Sequence, residues 1–547
     1  MPVTSLQCKR LAALLIFGLG FLWLPAVVAD IPMRELVGEL RGQLDQQTAS
    51  WIILDLDRKR LHDFYAPRNF QPVWVNTHGP LQRAEQLRQT LILAEEEGLE
   101  PEAYPLPLIA QHWTARTAAE LARLELLLTN TFFLYSKHVR AGRFDPGKVD
   151  PLWHIATPDF NAVKLLNTTL AAANFGAALR DLPPPHAGYR RLREALARYR
   201  QRQRNGGWPQ LPAGPYLKYG LRHPQISLLR RRLLAEGDLH LGPVKDSDFF
   251  DQAVKYAVER FQVRHGLKMD GIVGAASRAA MNVPISERIE QIKLNMERWR
   301  WLPRHLGRRY LMVNTAGYEL TAIENAQPLF SMWVIIGKPE RPTPAVRGVL
   351  HTVVFNPYWT VPSTIVFEDL IPEQQRNPNF LKSRGIRVFS NRRNGEELDA
   401  GKIDWSQVDK EHFPYVLRQD PGPTNPMGRI KFLFSNAFKV YLHDTPTRRL
   451  FNRQVRAFSS GCIRVEDPVR LAVYLLGAEN RWTRKKIRET IASGESRKVP
   501  VPKAMPIYLV YWTAWVGADN AVSFREDVYD RDSPLSKCGS AGEEKTG

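Results

Sequence analysis

The hydrophobic pattern of this chain changes near Arg309, and this change limits the folds that the chain can adopt. Before it, apolar residues recur at helical spacing, as in residues 81–97 and 120–138. After it, short runs such as 310–314 and 318–323 are typical of strands joined by turns. A chain of 547 residues is too long for one core, so we expect two to four domains. The pattern predicts a multidomain α+β protein.

Breaks in the pattern suggest the domain boundaries. A Pro/Gly-rich stretch at 206–215 predicts a linker, and glycines at 266–274 predict a tight turn inside a small helical module. The predicted segments, in chain order, are a signal peptide (1–29), a helical scaffold domain (30–217), a three-helix module (220–283), a connecting helix (285–307), a mostly antiparallel β-domain (308–530) with an insertion at about 361–420, and a disordered tail (531–547).

The N-terminus has the features of a secretory signal. Lys9 and Arg10 precede an apolar run at 11–24, and small residues before Ala29 form a cleavage site. The apolar run is short for a membrane span, although an uncleaved anchor would associate the chain with the inner membrane. Cleavage would leave only Cys462 and Cys538, which excludes a disulfide-stapled scaffold.

The charge of the chain predicts an anionic partner. The net charge is +20 and the isoelectric point is about 9.8. For an exported protein we expect that partner to be cell wall or anionic lipid, and no nucleic-acid motif is present. The densest basic run, at 189–204, has apolar residues at helical spacing and is typical of an amphipathic helix with a solvated arginine face.

His443 and Cys462 are the candidate catalytic residues. A cysteine attacks as the thiolate and needs a base or a positive environment, and His443 is the nearest imidazole in the sequence. The tight turn Ser460-Gly461-Cys462 could direct successive backbone N–H groups at an oxyanion. The alternative is a buried structural cysteine with an unrelated histidine. No histidine spacing predicts a metal site, and no nucleotide-binding loop is present.

The spacing His443-x15-Ser459-x-Gly461-Cys462-x-Arg464 resembles the signature of the L,D-transpeptidases, whose catalytic domain is of the YkuD type. Many members have a second histidine where this chain has Ser460. The sequence after Tyr441 resembles the large YcbB-like branch of that family, as does the insertion at about 361–420, which implies a cap over the substrate cleft. The resemblance implies a β-sandwich catalytic domain.

The resemblance also implies a reaction and its site. Cys462 would form a thioester with a peptidoglycan stem peptide, and an amine of a second stem would resolve it as a 3→3 crosslink. His443 would be the base, oriented by Asp444. Ser460, Gly461 and Cys462 would form the oxyanion hole. The remaining candidates, for substrate binding, are Arg464 (with a structural ion pair as the alternative), Ser459, Trp359 and Asn425. No metal or cofactor is implied.

Two further segments resemble known wall-associated domains. Phe261-Gln262, Gly266-Leu267 and Asp270-Gly271-x-x-Gly274 resemble a peptidoglycan-binding domain, whose glycines and Asp270 are structural in the first instance. The run at 142–146 resembles the scaffold region of the YcbB-like enzymes. Together these features imply a periplasmic, wall-associated enzyme that could act with other wall-synthesis proteins.

Three alternatives remain open from the sequence. Water could resolve the thioester, which would make the chain an L,D-carboxypeptidase or endopeptidase. A lipoprotein lysine could be the acceptor, which would make it a wall-anchoring enzyme. The chain could also be a noncatalytic wall-binding scaffold, against which the intact His443, Cys462 and Arg464 argue.

Overall fold

A computed structural model describes residues 31–45, 57–240, 247–390, 395–477 and 481–541, with side chains to residue 537. The predicted signal peptide and the side chain of Cys538 lie outside the described residues. Within the described ranges, no helix has the length and apolar character needed to cross a membrane. The chain divides into two compact units, Met1–Ala84 with Leu108–Leu128, and Glu85–Pro107 with Thr129–Gly547.

The N-terminal third is helical, as its periodicity predicts. Its helices are α1 (Met33–Asp45), α2 (Arg58–Tyr65), α3 (Gln82–Ile92), α4 (Leu106–His112), α5 (Ala118–Ala141), α6 (Pro146–Val149), α7 (Ala162–Leu170), α8 (Phe175–Arg180) and α9 (Ala187–Arg204), with two short paired strands, β1 (Val75–Asn76) and β2 (Gly79–Pro80). In the first unit the buried carboxylate of Glu125 accepts hydrogen bonds from the Tyr65 hydroxyl at 2.7 Å and the Trp74 N–H at 2.7 Å. Such bonds offset the cost of burying a charge among the aromatic side chains of this core.

The small module consists of α10 (Gln225–Glu236), α11 (Gln252–Arg264) and α12 (Ala275–Met281). The Gln262 amide, which is buried, donates to Asp270 Oδ1 at 2.9 Å and accepts the N–H groups of Asp270 and Gly271 at 3.0 and 2.9 Å. The glutamine and the Asp-Gly pair of the sequence pattern are therefore partners that close one turn. α13 (Ile285–Arg300) follows.

The β-domain confirms the predicted, mostly antiparallel sheet. Its main strands are β3 (Arg309–Asn314), β4 (Glu319–Glu324), β5 (Gln327–Gly337), β6 (Arg347–Phe355), β11 (Ile430–Phe434), β12 (Leu442–His443), β13 (Ala457–Ser459), β14 (Ile463–Val465) and β15 (Arg497–Val510). They form one ladder in the order β13-β5-β14-β12-β11-β6-β15-β3-β4, and it closes because β4 also pairs with β5. α17 (Pro468–Leu476) and α18 (Arg484–Ala492) contribute Leu471 and Ile487 to its core.

Strand register brings the site residues together. β12 pairs with β14 in parallel, with His443 beside Arg464, and pairs with β11 in antiparallel, with Lys431 beside His443. Side chains of directly paired residues lie on the same face of a sheet. Because Cys462 comes immediately before β14, the thiol is placed at the same end of these three strands.

The insertion has its own core. It contains β7 (Trp359–Thr360), α14 (Ser363–Ile365), α15 (Ile371–Arg376), α16 (Phe380–Ser383), β8 (Ile386–Ser390), β9 (Glu397–Leu398) and β10 (Tyr415–Gln419), and its strands pair in the order β7-β10-β8-β9. Leu381, Val388 and Leu417 are fully or almost fully buried in its apolar cluster. We call residues 361–420 the cap.

The prediction of a disordered tail at 531–547 is wrong for its first part. After the hairpin of β16 (Ala514–Val516) and β17 (Val522–Phe524), the chain forms α19 (Asp532–Ala541). Leu535 is only 2% exposed, and Asp532 pairs with the buried Arg298 at 2.5 Å. Because the segment is mostly polar, its sequence did not indicate that Leu535 is buried or that Asp532 pairs with Arg298, which is distant in the sequence.

Candidate active site

The turn that carries the thiol is held by its own side chains. Gly461 has a φ of +102°, a conformation that residues with a Cβ rarely adopt. The Ser459 hydroxyl donates to the carbonyl of Cys462 at 2.5 Å and accepts the N–H of Gly461 at 3.2 Å. Thr343 donates to the Gly461 carbonyl at 2.8 Å. The turn is therefore fixed before any substrate arrives.

His443 is buried and has one defined tautomer. Its Nδ1 lies 2.6 Å from the carbonyl oxygen of Asp444, and because a carbonyl only accepts, Nδ1 carries the proton and Nε2 is left as an acceptor. Burial, with a smaller effect of the nearby Arg464, lowers the pKa of His443 to about 3. The ring is therefore a neutral base at neutral pH.

Asp444 acts on His443 through its backbone. Its side-chain carboxylate faces elsewhere, accepting the N–H of Arg429 at 2.9 Å and an Nη1–H of Arg448 at 3.4 Å. Burial raises the pKa of this carboxyl above its usual value. The backbone carbonyl is thus the group that orients the ring.

Cys462 is a thiol in the resting site. Burial raises its pKa above the usual value, although hydrogen bonds from Tyr441 and the charges of Lys431 and Arg464 act in the opposite direction. The pair of Cys462 and His443 is therefore neutral at rest, and charge would develop only as the thiol proton is transferred.

Sequence reasoning missed Lys431 and Tyr441. The ammonium of Lys431 lies 3.6 Å from the centroid of the Tyr441 ring, and Tyr441 in turn interacts with the sulfur of Cys462 through its hydroxyl and backbone. Burial lowers the pKa of Lys431. The one available signal was a lysine in an otherwise apolar strand, at 430–434, which is too weak to assign a role.

The structure corrects the predicted oxyanion hole at Gly461. Its N–H is engaged by the Ser459 hydroxyl, so it is not free to bind an oxyanion. Among the residues that the structure describes, the N–H groups of Ser460 and Cys462 have no hydrogen-bond acceptor. These two adjacent donors are the candidates for that function.

A cleft of about 680 Å³ lies over these residues. It is lined by Cys462, His443 and Arg464 from the sheet, by Trp359 of β7 and by residues of the cap, such as Asp369 and Leu370. No carboxylate of the described ranges pairs with Arg464, and its buried Nε has no partner there, so the alternative of a structural ion pair is not observed. Arg464 and Trp359 are thus placed where a substrate would contact them.

Two predicted substrate-binding residues are structural. Asn425 is fully buried, and its amide donates to the carbonyls of Pro357 and Asp420 at 3.1 Å while accepting the N–H of Met427 at 2.8 Å. Its polar atoms are used in closing a turn. Ser459, which is 2% exposed, likewise forms its hydrogen bonds within residues 459–462, the turn that carries the thiol, which we call the nucleophile turn.

In the part of the chain that is described, no group of three or more His, Cys, Asp or Glu side chains could hold a metal ion.

Comparison with known proteins identifies the domains. Residues 308–501 match the L,D-transpeptidase catalytic domain, 222–281 match a peptidoglycan-binding domain and 59–196 match a scaffold domain. The chain therefore carries a YkuD-type L,D-transpeptidase catalytic domain together with a peptidoglycan-binding domain.

A Haemophilus influenzae protein, provisionally named an L,D-transpeptidase, is 35% identical over 248 residues, which are 45% of this chain and 49% of that protein. The match thus spans about half of the relative. Solved L,D-transpeptidase structures from Xylanimonas cellulosilytica and Stackebrandtia nassauensis are 15% and 12% identical, with TM-scores of 0.17 and 0.22. Each alignment covers 55% of this chain and 99% or 96% of the solved chain. At these TM-scores neither structure bears on the architecture.

Proposed function

We propose that this chain is a cysteine-dependent L,D-transpeptidase that forms 3→3 crosslinks between peptidoglycan stem peptides. The observation that carries the proposal is the convergence on one cleft of Cys462, a His443 held by the Asp444 carbonyl, and an Arg464 that pairs with no carboxylate among the described residues. The catalytic-domain match supports the class of reaction, and the peptidoglycan-binding domain supports the polymer on which it acts.

In the first step, Cys462 attacks the carbonyl of the third stem residue, meso-diaminopimelate. The Sγ–C bond forms as Nε2 of His443 takes the thiol proton, and the N–H groups of Ser460 and Cys462 bind the developing oxyanion. The C–N bond to the terminal D-alanine then breaks, and the D-alanine leaves as an amine with the proton from His443. A thioester remains.

In the second step, the side-chain amine of a neighbouring stem attacks the thioester. His443 takes a proton from the amine and returns it to the sulfur as the S–C bond breaks, so the resting pair of thiol and neutral imidazole is restored. Arg464 would bind a substrate carboxylate beside the reacting carbonyl, because a guanidinium can bind a carboxylate through two hydrogen bonds.

We place the activity in the periplasm, next to the wall. The apolar segment at 11–24 with its small-residue cleavage site would direct export, and the charge of +20 would favour the anionic wall. An uncleaved segment would keep the chain at the inner membrane, close to other wall-synthesis proteins.

The test is mass spectrometry of muropeptides after incubation of the chain with disaccharide-tetrapeptide. We expect dimers with a 3→3 linkage, and a loss of at least ~10³-fold in the Cys462→Ala variant. Cys538→Ala, which removes the other cysteine beyond the signal segment, is the matched control and should leave the dimers unchanged. Tripeptide without dimers would indicate a carboxypeptidase, and modification of a supplied lipoprotein lysine would indicate an anchoring enzyme. No product, with no acylation of Cys462, would indicate a scaffold.

A further inference from the structure

Arg341 makes a set of contacts that no part of the proposed chemistry uses. It lies in the loop between β5 and β6, and its side chain is only 11% exposed. Its guanidinium donates four hydrogen bonds to the carboxylates of Glu368 and Asp369, at 2.6 to 3.0 Å. The same Nη1 that binds Asp369 also donates to the hydroxyl of Ser460 at 3.0 Å. One side chain therefore joins the cap to the nucleophile turn.

The cap end of this contact forms part of the cleft. Glu368 and Asp369 belong to a segment, Val366–Leu370, that has π-helical geometry, which is rare and is often found at functional sites. Asp369 and Leu370 line the cleft itself. A movement of this segment would therefore change the cleft wall.

The turn end of this contact lies at a candidate oxyanion donor. Ser460, whose side chain Arg341 binds, carries one of the two candidate oxyanion donors, a backbone N–H with no acceptor among the described residues. The backbone around Arg341 also packs closely there, because a Cβ on Gly337 would lie 2.1 Å from the Arg341 carbonyl and 3.0 Å from the Cα of Gly461. The loop that carries Arg341, the end of β5 and the nucleophile turn are thus closely packed. A displacement of Arg341 would therefore displace Ser460.

We infer that Arg341 is a positioning residue that couples closure of the cap to the geometry of the oxyanion donors. With the cap closed, Glu368 and Asp369 hold the guanidinium in the orientation in which it fixes Ser460. With the cap open, the guanidinium loses these acceptors and Ser460 loses its restraint. Chemistry is then favoured only when the cleft is covered. This inference rests on the proposed function, since it assigns a role in that reaction.

The geometry favours such a coupling over a surface ion pair. An isolated exposed pair contributes little, but here one mostly buried guanidinium binds two carboxylates and a hydroxyl. The two carboxylates are about half exposed, at 52% and 42%, so water can replace the guanidinium when the cap opens. A contact of this kind is specific and also reversible.

The test compares Arg341→Met with Arg387→Met in the full chain. Arg387 is a matched control because it also bridges two exposed acids, Glu397 and Asp420, but both acids lie within the cap, and among the described contacts Arg387 makes none with Ser460. Two reactions of Cys462 are followed by intact mass: acylation by a carbapenem β-lactam, which needs oxyanion donors, and alkylation by iodoacetamide, which does not. Amide hydrogen exchange over residues 363–376 reports on the cap.

We expect Arg341→Met to slow acylation by about tenfold to a hundredfold, because displaced catalytic donors lose rate steeply. Alkylation should be unchanged or faster, and exchange over 363–376 should increase. Arg387→Met should change neither acylation nor that exchange. Arg341→Lys should resemble Arg341→Met, because an ammonium cannot form the planar fork. A double variant, Glu368→Gln with Asp369→Asn, keeps Arg341 and Ser460 and should also slow acylation.

Acylation by Arg341→Met at the wild-type rate, or an equal loss in Arg387→Met, would overturn the inference. So would slowed acylation and alkylation together, since that points to a damaged fold. A failure of the proposed function would give a different result. If wild-type chain is acylated but makes no 3→3 dimers, the proposed function is wrong, and the Arg341 comparison can still be made. If wild-type chain is not acylated either, unchanged exchange over 363–376 in Arg341→Met would by itself reject the coupling.

Discussion

Two clusters of arginine and carboxylates in this chain differ mainly in burial. In the peptidoglycan-binding module, Arg264 is 8% exposed and pairs with Glu236 and Asp238, which are 0% and 5% exposed. Beside the cleft, Arg341 is nearly as buried, but its partners Glu368 and Asp369 are about half exposed. The buried cluster also includes Arg232, which lies 2.8 Å from Glu236 and is 1% exposed. An arginine that binds two carboxylates is therefore found once in the interior and once at a boundary with water.

This difference in exposure determines whether each cluster can open. Arg264 also donates to the carbonyl of Val522 in β17, so the buried cluster joins the module to the hairpin beyond the catalytic sheet. Separating these charges would leave them without water, which is costly. The Arg341 cluster can exchange its protein partners for water at little cost. We therefore expect the module contact to be permanent and the cap contact to open.

The largest effect should come from removing Arg264. Arg264→Met would leave the buried Asp238 without its arginine and Glu236 with Arg232 as its remaining arginine, and we expect a loss of about 3–5 kcal/mol in the free energy of unfolding. The measurement is chemical denaturation, with hydrogen exchange in α10 and α11 to locate the loss. Arg341→Met is the matched variant and should cost about 0–1 kcal/mol. Equal losses in the two variants would remove the distinction between the clusters.

The catalytic pair extends the comparison to buried groups that bind no carboxylate in the part of the chain that the structure describes. Because burial raises the pKa of Cys462 above its usual value and lowers that of His443 to about 3, we expect no thiolate–imidazolium pair near neutrality. Alkylation by iodoacetamide should then rise steadily from pH 6 through about pH 9, the region of an ordinary thiol. Cys462→Ala gives the background from Cys538. A plateau with a midpoint near pH 6 or 7 would mean that the pair is charged at rest.

A smaller effect should appear in acid. Coulombic and hydrogen-bond interactions with Arg264 and Arg232 outweigh desolvation and lower the pKa of Glu236 below its usual value. A carboxyl with a lowered pKa in the folded state stabilises that state fully above its unfolded pKa, about 4.3, and progressively less as the pH falls below it. The free energy of unfolding should therefore fall between pH 5 and pH 3. Glu236→Gln should be less stable at pH 7 but should show a shallower fall, and an unchanged slope would argue against this origin.

The sequence predicted local features of this molecule well. The hairpin strands near 310–323 follow from two short strand-like runs separated by a turn, and Gln262 and Asp270 lie only a few residues apart in one module. Cys462 and His443 were proposed as the catalytic pair because they belong to one motif of fixed spacing. In each of these cases, the interacting residues lie close together in the sequence or in a recurrent pattern.

What the sequence did not predict depends on distant partners. Arg341 and Glu368 are 27 positions apart, and in a chain with 76 lysines and arginines no spacing rule selects that pair. Lys431 meets Tyr441 only because β11 and β12 pair in one register. Asn425 was predicted to bind substrate from the family resemblance, whereas both polar atoms of its amide are used in hydrogen bonds to the backbone.

The smallest and most selective effect should come from salt. Added NaCl screens charges that water reaches, and screens buried pairs much less. The Debye length falls from roughly 14 to 4 Å between about 0.05 and 0.5 M NaCl. Over that range exchange of residues 363–376 should increase by about twofold to fivefold, because the two acids that bind Arg341 are about half exposed and salt weakens such a contact by less than about 1 kcal/mol. Exchange in α11, which carries Arg264, should not change. In Arg341→Met the salt response of the cap should fall to the small part that comes from exposed pairs within the segment, such as Arg376 with Glu373. An undiminished salt response in this variant would show that other charges hold the cap, and an equal response in α11 would show that burial does not separate the two clusters.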